Sequence, residues 1–410
     1  MSGRKSPATI PIFPQALVVQ QGGESLPFTV SPPLSLYVHV PWCVRKCPYC
    51  DFNSHEVRQD IPEAAYVAAL ISDLESALPL IWGRRVSSVF FGGGTPSLLS
   101  ATALDQLLTA LRSRLPLQPS CEMTLEANPG TVEAQKFEGF HHAGINRLSL
   151  GIQSFNAAHL LGLGRIHDDR EARRAIELAA RVFDNFNLDL MYGLPGQTLE
   201  QAVSDIEAAL SCSPPHLSCY QLTLEPNTAF AAAPPTLPES DSCADMQDAI
   251  EGRLALAGYT HYETSAFALP GHLCRHNLNY WQFGDYLGIG AGAHSKLTVH
   301  DQGHWQVRRQ MRWKQPKQYL AQVGAGQPVQ HEFSVAPGEL PFEFMMNALR
   351  LNQGFDARLF ELRTSLPLTT LATQLRHVEW QGLLMQTPQH IAPTDRGRRF
   401  LNQLLQGFLS

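Results

Sequence analysis

The sequence predicts an α/β protein: an incomplete (β/α)6 barrel of the TIM type, followed by a mostly helical, winged-helix-like C-terminal domain. From residue 34, a short β-rich run ends in a polar or glycine-rich turn and leads into a helical stretch, and this unit occurs six times. Repeated βα units favour a parallel sheet with helical crossovers, and six units are fewer than the eight of a closed barrel. Residues 331–410 then change to helical patterns, a hairpin and a final helix, which is the order of elements in a winged helix.

The six predicted strands are LSLYVHV (34–40), SSVFF (87–91), CEMTLEA (121–127), RLSLGIQS (147–154), NLDLMYG (187–193) and HLSCYQLTL (216–224). The first two predicted helices cover about 61–78 and 98–113, and the third begins at Thr131. Helical sequence follows the fourth strand to about 182, the next helix begins at Thr198, and the last covers about 240–257. Residues 1–33 are rich in proline, glycine and serine and predict an extended arm. We expect the barrel over 34–258, an extension with a hairpin over 259–330, and the C-terminal domain over 331–410.

Composition narrows the class of protein. The chain has 410 residues, of which 44% are hydrophobic and 17% charged, as in globular proteins. Its net charge of −6 disfavours nucleic-acid binding. The eight cysteines are scattered and the N-terminus has no signal-peptide core, so we expect a cytoplasmic protein. The apolar runs are too short for a membrane span, so we expect that the chain does not span a membrane.

Three cysteines lie in one run after the first predicted strand: Cys43, Cys47 and Cys50, with the spacing C-x3-C-x2-C. Thiolates hold iron–sulfur clusters, and a four-iron cluster normally takes one thiolate per iron. Three thiolates leave one iron open to a small molecule. Zinc sites usually combine two ligand pairs, and no second pair follows here. The spacing therefore favours an open [4Fe-4S] cluster over a partial zinc site or a chance group.

Glycine and polar residues gather at the predicted C-terminal ends of the strands, the rim that carries the chemistry of βα barrels. The run Gly92–Gly94 lets the backbone approach a ligand closely, although it also suits a tight turn without a ligand. The polar residues have structural alternatives too: a helix cap for Glu126, an interstrand bridge for Gln153, and an ion pair between Arg165 and Asp189. Their convergence at one rim favours a site for a polar ligand.

These motifs resemble those of radical S-adenosylmethionine (SAM) enzymes. The segments concerned are YVHVPWCVRKCPYCDF, FFGGGTPS, LEANPGT, NRLSLGIQSF, LGRIH and LDLMYGLPGQT. More narrowly, they resemble the oxygen-independent coproporphyrinogen III oxidase group, from Tyr37 to about Ser295, and the C-terminal domain follows that pattern more loosely. The resemblance implies a radical SAM barrel with a [4Fe-4S] cluster on the three cysteines.

The resemblance also implies which residues bind SAM. In this superfamily the amino and carboxylate groups of SAM chelate the open iron, and Tyr49 would lie along the adenine. The other residues implied to contact SAM are Tyr37, Gly93, Gly94, Thr95, Glu126, Gln153, Arg165 and Asp189. A sulfonium cation with a carboxylate and a ribose diol needs acids, a guanidinium and backbone groups around it, and this set supplies them.

Two departures separate the chain from the members that oxidise porphyrinogens. Those members carry a further cysteine two residues after the third ligand, where this chain has Phe52. Residues 276–281 read HNLNYW, and an HNxxYW motif combined with CDF resembles the HemW branch, whose members are heme chaperones. From the residues alone, a packed barrel closure is the alternative. The residues implied to contact heme, through an imidazole and flat aromatic surface, are His276, Asn277, Tyr280 and Trp281.

The branch implies a heme chaperone, which binds heme and transfers it to an acceptor protein, membrane-bound hemoproteins included. The alternative is an oxygen-independent coproporphyrinogen III oxidase that forms protoporphyrinogen IX by radical decarboxylation, and Phe52 and HNLNYW count against it. Radical chemistry on another substrate is a third hypothesis. We therefore expect little or no coproporphyrinogen oxidase activity. The other partners implied are an electron donor such as flavodoxin or ferredoxin and, as an open alternative, a second copy of the chain.

Overall fold

The computed structural model describes residue 28 and residues 30–58, 60–131, 134–301 and 304–409. Most of the predicted N-terminal arm therefore lies outside the described residues. Within the described chain, one twelve-stranded sheet forms the body of the protein and a three-stranded sheet lies in the C-terminal region. Phe28 is buried and packs against Trp305, with 6.0 Å between the ring centroids.

The six predicted strands are present, lie side by side in chain order and run parallel, which confirms the βα architecture. They are β1 (Leu34–Val40), β2 (Val86–Gly93), β3 (Leu117–Ala127), β4 (Arg147–Gln153), β5 (Phe186–Tyr192) and β6 (His216–Gln221). The helices of this part are α1 (Glu63–Ile81), α2 (Ala101–Arg114), α3 (Ala134–Ala143), α4 (Ala157–Gly162), α5 (Asp169–Val182), α6 (Leu199–Ser211), α7 (Ala229–Ala232) and α8 (Ser240–Leu256).

Polar side chains fix where several of these helices begin. Asp168 and Thr198 each accept a hydrogen bond from a backbone amide of the first turn, and each forms a capping box with the residue three positions later. The helix predicted from Thr198 therefore begins one residue later, with Thr198 as its N-cap. The helix predicted from Thr131 begins at Ala134, because Pro129–Thr131 forms a separate turn of 3-10 helix.

Six further strands extend the sheet at both edges: β7 (Thr260–Glu263), β8 (Ala266–Ala268), β9 (Asp285–Ile289), β10 (His294–Asp301), β11 (His304–Arg312) and β12 (Val329–Ser334). The order across the sheet is β12-β11-β10-β9-β1-β2-β3-β4-β5-β6-β8-β7. Strand β9 is parallel to β1, whereas β10 to β12 pair antiparallel. Because β1 borders β9 instead of β6, the barrel is incomplete, as predicted. The antiparallel pairing of β10 with β11 confirms the predicted hairpin.

Two helices lie in the region where only strands and a hairpin were predicted. They are α9 (Arg275–Trp281) and α10 (Pro316–Gly324). The HNLNYW motif therefore lies on a helix, which packs against β1, β2 and β9. A seven-residue helix is too short to show a helical period in the sequence, so the pattern did not predict it.

The C-terminal region is mostly helical, as predicted. Its helices are α11 (Leu340–Ala348), α12 (Ala357–Thr364), α13 (Ala372–Trp380), α14 (Asp395–Arg399) and α15 (Leu401–Gln406), and its strands are β13 (Phe355–Asp356), β14 (Leu384–Gln386) and β15 (His390–Pro393). Strands β14 and β15 form the predicted hairpin. Phe344 and Phe360 pack together in a core that also includes Phe283 and Val307 of the preceding region.

Helix α1 is long and apolar enough to cross a membrane by length and composition, with a mean hydropathy of 1.4. It is the one such helix among the described residues, and it is an exception to the expectation that every apolar run is too short for a membrane span. In this fold α1 packs on the barrel instead, because its residues Tyr66, Leu70 and Leu74 are fully buried in the main core. Core helices of globular proteins meet the same criteria.

Candidate functional site

The three cysteines of the C-x3-C-x2-C run lie in the loop that follows β1. All three are free thiols with part of their surface exposed. The amide of Cys50 donates a hydrogen bond of 3.1 Å to the carbonyl of Cys47, which folds the second half of the run into a turn. Residues Trp42–Cys43 pair with His55–Glu56, so the loop is closed at its base.

Hydrogen bonds connect the thiols of Cys43 and Cys47 through three residues of the strand-end loops. The hydroxyl of Thr95 donates to Cys43 Sγ at 3.5 Å, and Asn128 Nδ2 donates to Thr95 Oγ1 at 2.9 Å. Arg165 Nη2 donates to Asn128 Oδ1 at 2.5 Å, and Arg165 Nη1 lies 3.7 Å from Cys47 Sγ. This polar chain, Cys43–Thr95–Asn128–Arg165–Cys47, fixes the orientation of two of the three thiols.

The chemistry of the loop fits an iron–sulfur cluster. Burial raises the pKa of the Cys43 and Cys50 thiols, so a bound metal would be needed to hold them as thiolates. Within the described ranges, no three His, Cys, Asp or Glu side chains are gathered so closely that they would hold a single metal ion. A four-iron cluster binds each thiolate to a different iron, so its ligands lie farther apart. The Arg165 guanidinium beside Cys47 would stabilise thiolate charge.

The glycine run brings the end of β2 against the cysteine loop. Gly93 has φ +115°, and a Cβ atom there would lie 2.5 Å from the ring of His39. A Cβ atom on Gly94 would lie 2.5 Å from the carbonyl oxygen of Trp42. Side chains therefore do not fit at either position, which explains the glycines by close packing.

The amides of this run already have partners. Gly93 N donates to Glu126 Oε2 at 3.1 Å, whereas the amides of Gly94 and Thr95 donate to carbonyls of Val40 and Trp42 at 2.8 and 2.7 Å. Because the amides of Gly93, Gly94 and Thr95 all donate within the protein, none of them is free to bind a ligand as expected. An incoming amine would instead need their carbonyl oxygens.

Glu126 and Asp189 lie at the mouth of the barrel on β3 and β5. Burial, and next to it the charge of Asp189, raises the pKa of Glu126 to about 8. Burial also raises the pKa of Asp189, which accepts hydrogen bonds from Ser149 and Asn187. Among the described residues Glu126 accepts from the Gly93 amide, and Arg165 donates to Asn128 and to the Gly151 carbonyl instead of pairing with Asp189. Two acids with raised pKa values in one cleft are typical of a ligand site.

Gln153 lies close to Arg165 at the mouth of the barrel. It ends β4 in the left-handed region, at φ +69°, a strained conformation for a residue with a side chain. A Cβ atom on Gly151 would lie 3.0 Å from Gln153 Nε2, 2.9 Å from Asn128 Oδ1 and 3.4 Å from Arg165 Nη2. Glycine is therefore needed at position 151 for these three polar side chains to converge.

The two tyrosines of the predicted SAM site lie in different surroundings. Tyr37 hydrogen-bonds to His39 Nδ1 at 3.1 Å and stacks on Phe90 inside the barrel. Tyr49 packs at the edge of a small apolar cluster, with its ring 6.4 Å from that of Phe230. Tyr49 thus presents an aromatic face beside the cysteines, and its contact with adenine stays a prediction.

The helix α9 is anchored by a buried acid. Glu122 on β3 accepts hydrogen bonds of 3.1 Å from the amides of Arg275 and His276, and Cys274 Sγ lies 3.7 Å from its Oε1. These amides belong to the first turn of α9, where a carboxylate is favourable. The HNLNYW helix is therefore held inside the barrel by its N-terminus.

His276 is buried, with 2% of its surface exposed. Its Nδ1 pairs with the Ser88 hydroxyl at 3.0 Å, and its ring lies between Phe90 and Tyr280, at centroid distances of 4.9 and 5.0 Å. Burial, and next the charge of Arg147, lowers the pKa of His276 to about 3, so the ring is neutral. This environment matches the packed barrel closure.

The four residues implied to contact heme do not share one face. His276 and Tyr280 lie one turn apart and face the barrel interior, whereas Asn277 and Trp281 lie on the neighbouring face of α9. The guanidinium of Arg350 lies 4.3 Å from the centroid of the Trp281 ring. A ligand on the Trp281 face would therefore lie between the barrel and the C-terminal region.

A buried network ties α1 to the end of the sheet. Asp73 accepts hydrogen bonds from Arg312 Nε at 3.1 Å, from the Tyr319 hydroxyl at 2.8 Å and from the amide of Gly290 at 3.1 Å. Asp73 has no exposed surface and the Arg312 side chain is 1% exposed. A fully satisfied ion pair of this kind fixes the backbone around Gly290.

The same region holds the cysteine loop in place. Asn53 Nδ2 donates to the carbonyls of Ala291 and Lys314, each at 2.9 Å, and His39 Nε2 lies 2.9 Å from the Asn53 carbonyl. Tyr66 donates to the His39 carbonyl and accepts from the amide of Ala291. His39 is therefore a satisfied core histidine, and the loop after β1 is anchored through Asn53 to residues that lie 238 and 261 positions later in the chain.

The mouth of the barrel is rimmed by exposed apolar side chains. Val44, Phe52, Leu161 and Ile166 are exposed by 45%, 58%, 80% and 45%. Val44 and Ile166 line a small cleft with Cys47. Large apolar side chains are exposed elsewhere on the described chain too, and of these four Val44 and Ile166 are the pair brought together, beside Cys47.

Three functional candidates were not singled out from the sequence: Glu122, Asn128 and Arg147. Asn128 lies within the LEANPGT motif, whose end was assigned only to a turn. Glu122 and Arg147 are polar residues at alternate positions of otherwise apolar strands, and this period-two pattern indicates inward-facing side chains.

Comparison with known proteins gives the family. A model of the radical SAM superfamily matches residues 37–209, and a model of the HemN C-terminal domain matches residues 335–400. A protein named heme chaperone HemW from Escherichia coli K12 is 47% identical over 380 residues, which cover 92% of this chain and 99% of that protein. A protein of the same name from Mycobacterium tuberculosis is 34% identical and is covered over 100% of its length.

A solved structure supports the fold. Coproporphyrinogen III oxidase HemN from Escherichia coli, described as a radical SAM enzyme, matches with a TM-score of 0.78 and 25% identity, covering 92% of this chain and 90% of that one. The incomplete barrel and the C-terminal helical region are thus common to both. Because relatives well above 30% identity match over nearly their whole length, this chain belongs to the HemW family of the radical SAM superfamily.

Proposed function

We propose that this protein binds heme and transfers it to an acceptor protein. The observation that carries the proposal is the 47% identity, over nearly the whole of both chains, to a protein named heme chaperone HemW. Phe52 supports it, because a phenylalanine stands where the porphyrinogen-oxidising group has a further cysteine. The HNLNYW helix supports it as well, since this motif is the second feature that resembles the HemW branch.

Cys43, Cys47 and Cys50 would hold a [4Fe-4S] cluster, and the polar chain through Thr95 and Arg165 would orient two of the thiolates. Such a cluster supplies one-electron chemistry and an open coordination position for SAM. The chain itself would bind and orient SAM. Glu126 and Asp189 would accept hydrogen bonds from its amine and hydroxyl groups, and the remaining contacts would come from Tyr37, Tyr49, Gly93, Gly94, Thr95, Gln153 and Arg165.

Heme would bind close to α9. Nε2 of His276 is buried and has no hydrogen-bond partner among the described residues, so it is the ring nitrogen available to an iron. Axial ligation would require α9 to move away from β2, because His276 is only 2% exposed. Binding on the Trp281 face would leave α9 in place but would displace the Arg350 guanidinium, which lies 4.3 Å from the ring centroid. The spectrum of a His276 variant distinguishes the two arrangements.

The acceptor belongs to the class of heme-requiring proteins, membrane-bound hemoproteins included, and the transfer would occur in the cytoplasm. The exposed apolar rim of Val44, Phe52, Leu161 and Ile166 offers a surface for such a partner or for an electron donor of the flavodoxin or ferredoxin class. Its apolar character also suits a second copy of the chain.

The second candidate function is coproporphyrinogen III oxidation. It is favoured by the match to the HemN structure, with a TM-score of 0.78. It is disfavoured by Phe52 and by the HNLNYW helix. Because the fold is common to both activities, only an assay of both in one sample separates them.

The test is to titrate heme into purified, anaerobically reconstituted protein and to assay coproporphyrinogen conversion in the same sample. We expect saturable heme binding with little or no protoporphyrinogen IX formed. His276→Ala should change the heme absorption spectrum if the imidazole binds the iron, whereas Leu278→Ala, on the same helix but outside the four residues implied to contact heme, is the matched control. Wild-type protein that ignores heme and converts coproporphyrinogen at an enzymatic rate would overturn the proposal.

A further inference from the structure

Arg147 has a buried guanidinium for which the described residues offer no hydrogen-bond partner. It begins β4 and is 2% exposed. No hydrogen bond and no ion pair joins it to any residue that the structure describes, and its Nε is enclosed by protein without a partner. Arginine is almost never fully buried unless it is paired. The proposed roles of the cysteines and of the SAM residues do not use it.

Two neighbouring side chains have the same property. Thr124 on β3 lies opposite Arg147 in the strand register, has no exposed surface, and its hydroxyl has no partner among the described residues. The Nε2 atom of His276 is likewise buried and unpartnered, and its ring lies within the electrostatic range of Arg147. Unsatisfied buried groups are rare in native proteins, and a group of three calls for a ligand, an ion or water.

The charges of Glu122 and Asp189 act on Arg147, but neither acid accepts a hydrogen bond from its guanidinium. Both carboxylate oxygens of Glu122 accept hydrogen bonds from the first amides of α9, which commits this acid to the helix. Asp189 is hydrogen-bonded to Ser149 and Asn187. Inside the barrel, the Arg147 guanidinium, the Thr124 hydroxyl and His276 Nε2 therefore remain able to donate hydrogen bonds.

We propose that Arg147, with Thr124 and His276, forms a carboxylate-binding subsite inside the barrel. A guanidinium binds a carboxylate through two parallel hydrogen bonds, and a threonine hydroxyl can add a third. A neutral imidazole can donate from Nε2 in the arrangement in which that atom does not bind the iron. The carboxylate can come from two sources, a propionate group of heme or a free small carboxylate. The first source rests on the proposed heme-binding function, and the second does not.

The test compares heme with heme dimethyl ester, whose propionates are blocked, on the reconstituted protein. Wild type should bind heme about tenfold more tightly than the ester, the loss expected for one charge-assisted hydrogen bond. In Arg147→Met this preference should vanish, and Arg147→Lys should keep part of it, because lysine retains the charge without the planar fork. A second arm measures whether propionate raises the melting temperature of wild type but not of Arg147→Met.

The outcomes separate the inference from the proposed function. A preference for heme over its ester that depends on Arg147 supports the subsite with heme as the source, and stabilisation by propionate alone supports a small carboxylate. If wild type binds heme and ester equally and ignores propionate, the subsite is overturned while heme binding stands. If wild type binds neither porphyrin, the proposed function fails and the propionate arm decides the subsite. Should Arg147→Met not fold, Arg147→Lys and Thr124→Val decide, and unchanged preferences in both overturn it.

Discussion

Asn128 lies at the centre of the polar chain between Cys43 and Cys47, and its replacement by alanine tests whether that chain organises the site. The variant removes the acceptor of Arg165 Nη2, at 2.5 Å, and the donor to Thr95 Oγ1, at 2.9 Å. Arg165 keeps its bond of 2.7 Å to the carbonyl of Gly151, so the guanidinium stays nearby but is held by one oxygen fewer. Thr95 still donates to the Cys43 thiol, but without Asn128 the orientation of the Thr95 hydroxyl is no longer fixed.

The magnitude follows from the kind of bond that is lost. A hydrogen bond to a charged group contributes roughly 1.5–3 kcal/mol, and the Thr95 bond, between neutral groups, roughly 0.5–1.5 kcal/mol. Because Arg165 is one of the residues proposed to contact SAM, we expect SAM affinity in Asn128→Ala to fall by about tenfold or more. Asn128→Asp keeps an acceptor for Arg165 and should lose less.

The assay is calorimetric titration of SAM into each variant after reconstitution, with iron and sulfide measured in the same preparation. Equal iron in wild type and Asn128→Ala shows that the comparison reports SAM binding and not loss of the cluster. SAM affinity in Asn128→Ala within twofold of wild type would refute the reasoning, because Arg165 would then be positioned without Asn128.

Three further predictions concern stability and the cluster. Asp73→Ala leaves the buried Arg312 without its charge partner and should lower the free energy of unfolding by about 3–5 kcal/mol in urea titrations. The control Glu75→Ala, in the more exposed pair with Arg114, should change it by less than about 1 kcal/mol. Glu126 has a pKa raised from 4.5 to about 8, so the folded protein holds its proton more tightly than the unfolded chain does. Its contribution to stability is present at low pH and is lost as the pH rises towards about 8, and Glu126→Gln should remove this slope in denaturation curves measured between these values. Replacing the three cysteines Cys43, Cys47 and Cys50 by alanine should abolish bound iron and sulfide and leave the circular dichroism spectrum largely unchanged.

Each of these has a result that contradicts it. A loss below about 1 kcal/mol in Asp73→Ala would mean that Arg312 finds another partner. An unchanged pH slope in Glu126→Gln would show that this carboxyl titrates normally. Full cluster iron in the triple cysteine variant would show that the ligand assignment is wrong.

The barrel could be predicted from the sequence because its signals are local. Each strand is an apolar run followed by a turn, and several helices begin with a polar cap, so six βα units follow from short windows. The place of β9 beside β1 could not be predicted, because pairing between distant strands leaves no mark in either strand. Helix α9 was missed for a related reason: its seven residues are held by Glu122 from β3, which is a tertiary contact.

The site was predicted in part. Glu126 and Gln153 at strand ends and Arg165 in a loop were predicted, and the structure brings the last two together around Gly151. Asn128 was missed because an asparagine before Pro-Gly reads as a turn residue. The motif did not indicate that His276 and Trp281 lie on two different faces, because that follows from the helical geometry of α9.

The anchoring of the cysteine loop also constrains the order of events during synthesis. The ribosome produces β1 and the cysteines early, yet β1 pairs with β9, and Asn53 bonds to the carbonyls of Ala291 and Lys314. Contacts that span some 250 residues form late, because closing so long a loop is slow. A nascent chain therefore exposes its three thiols before the walls of their pocket exist. Cluster insertion should accordingly follow release of the finished chain, and a protein truncated before Lys314 should carry the ligands but retain iron poorly.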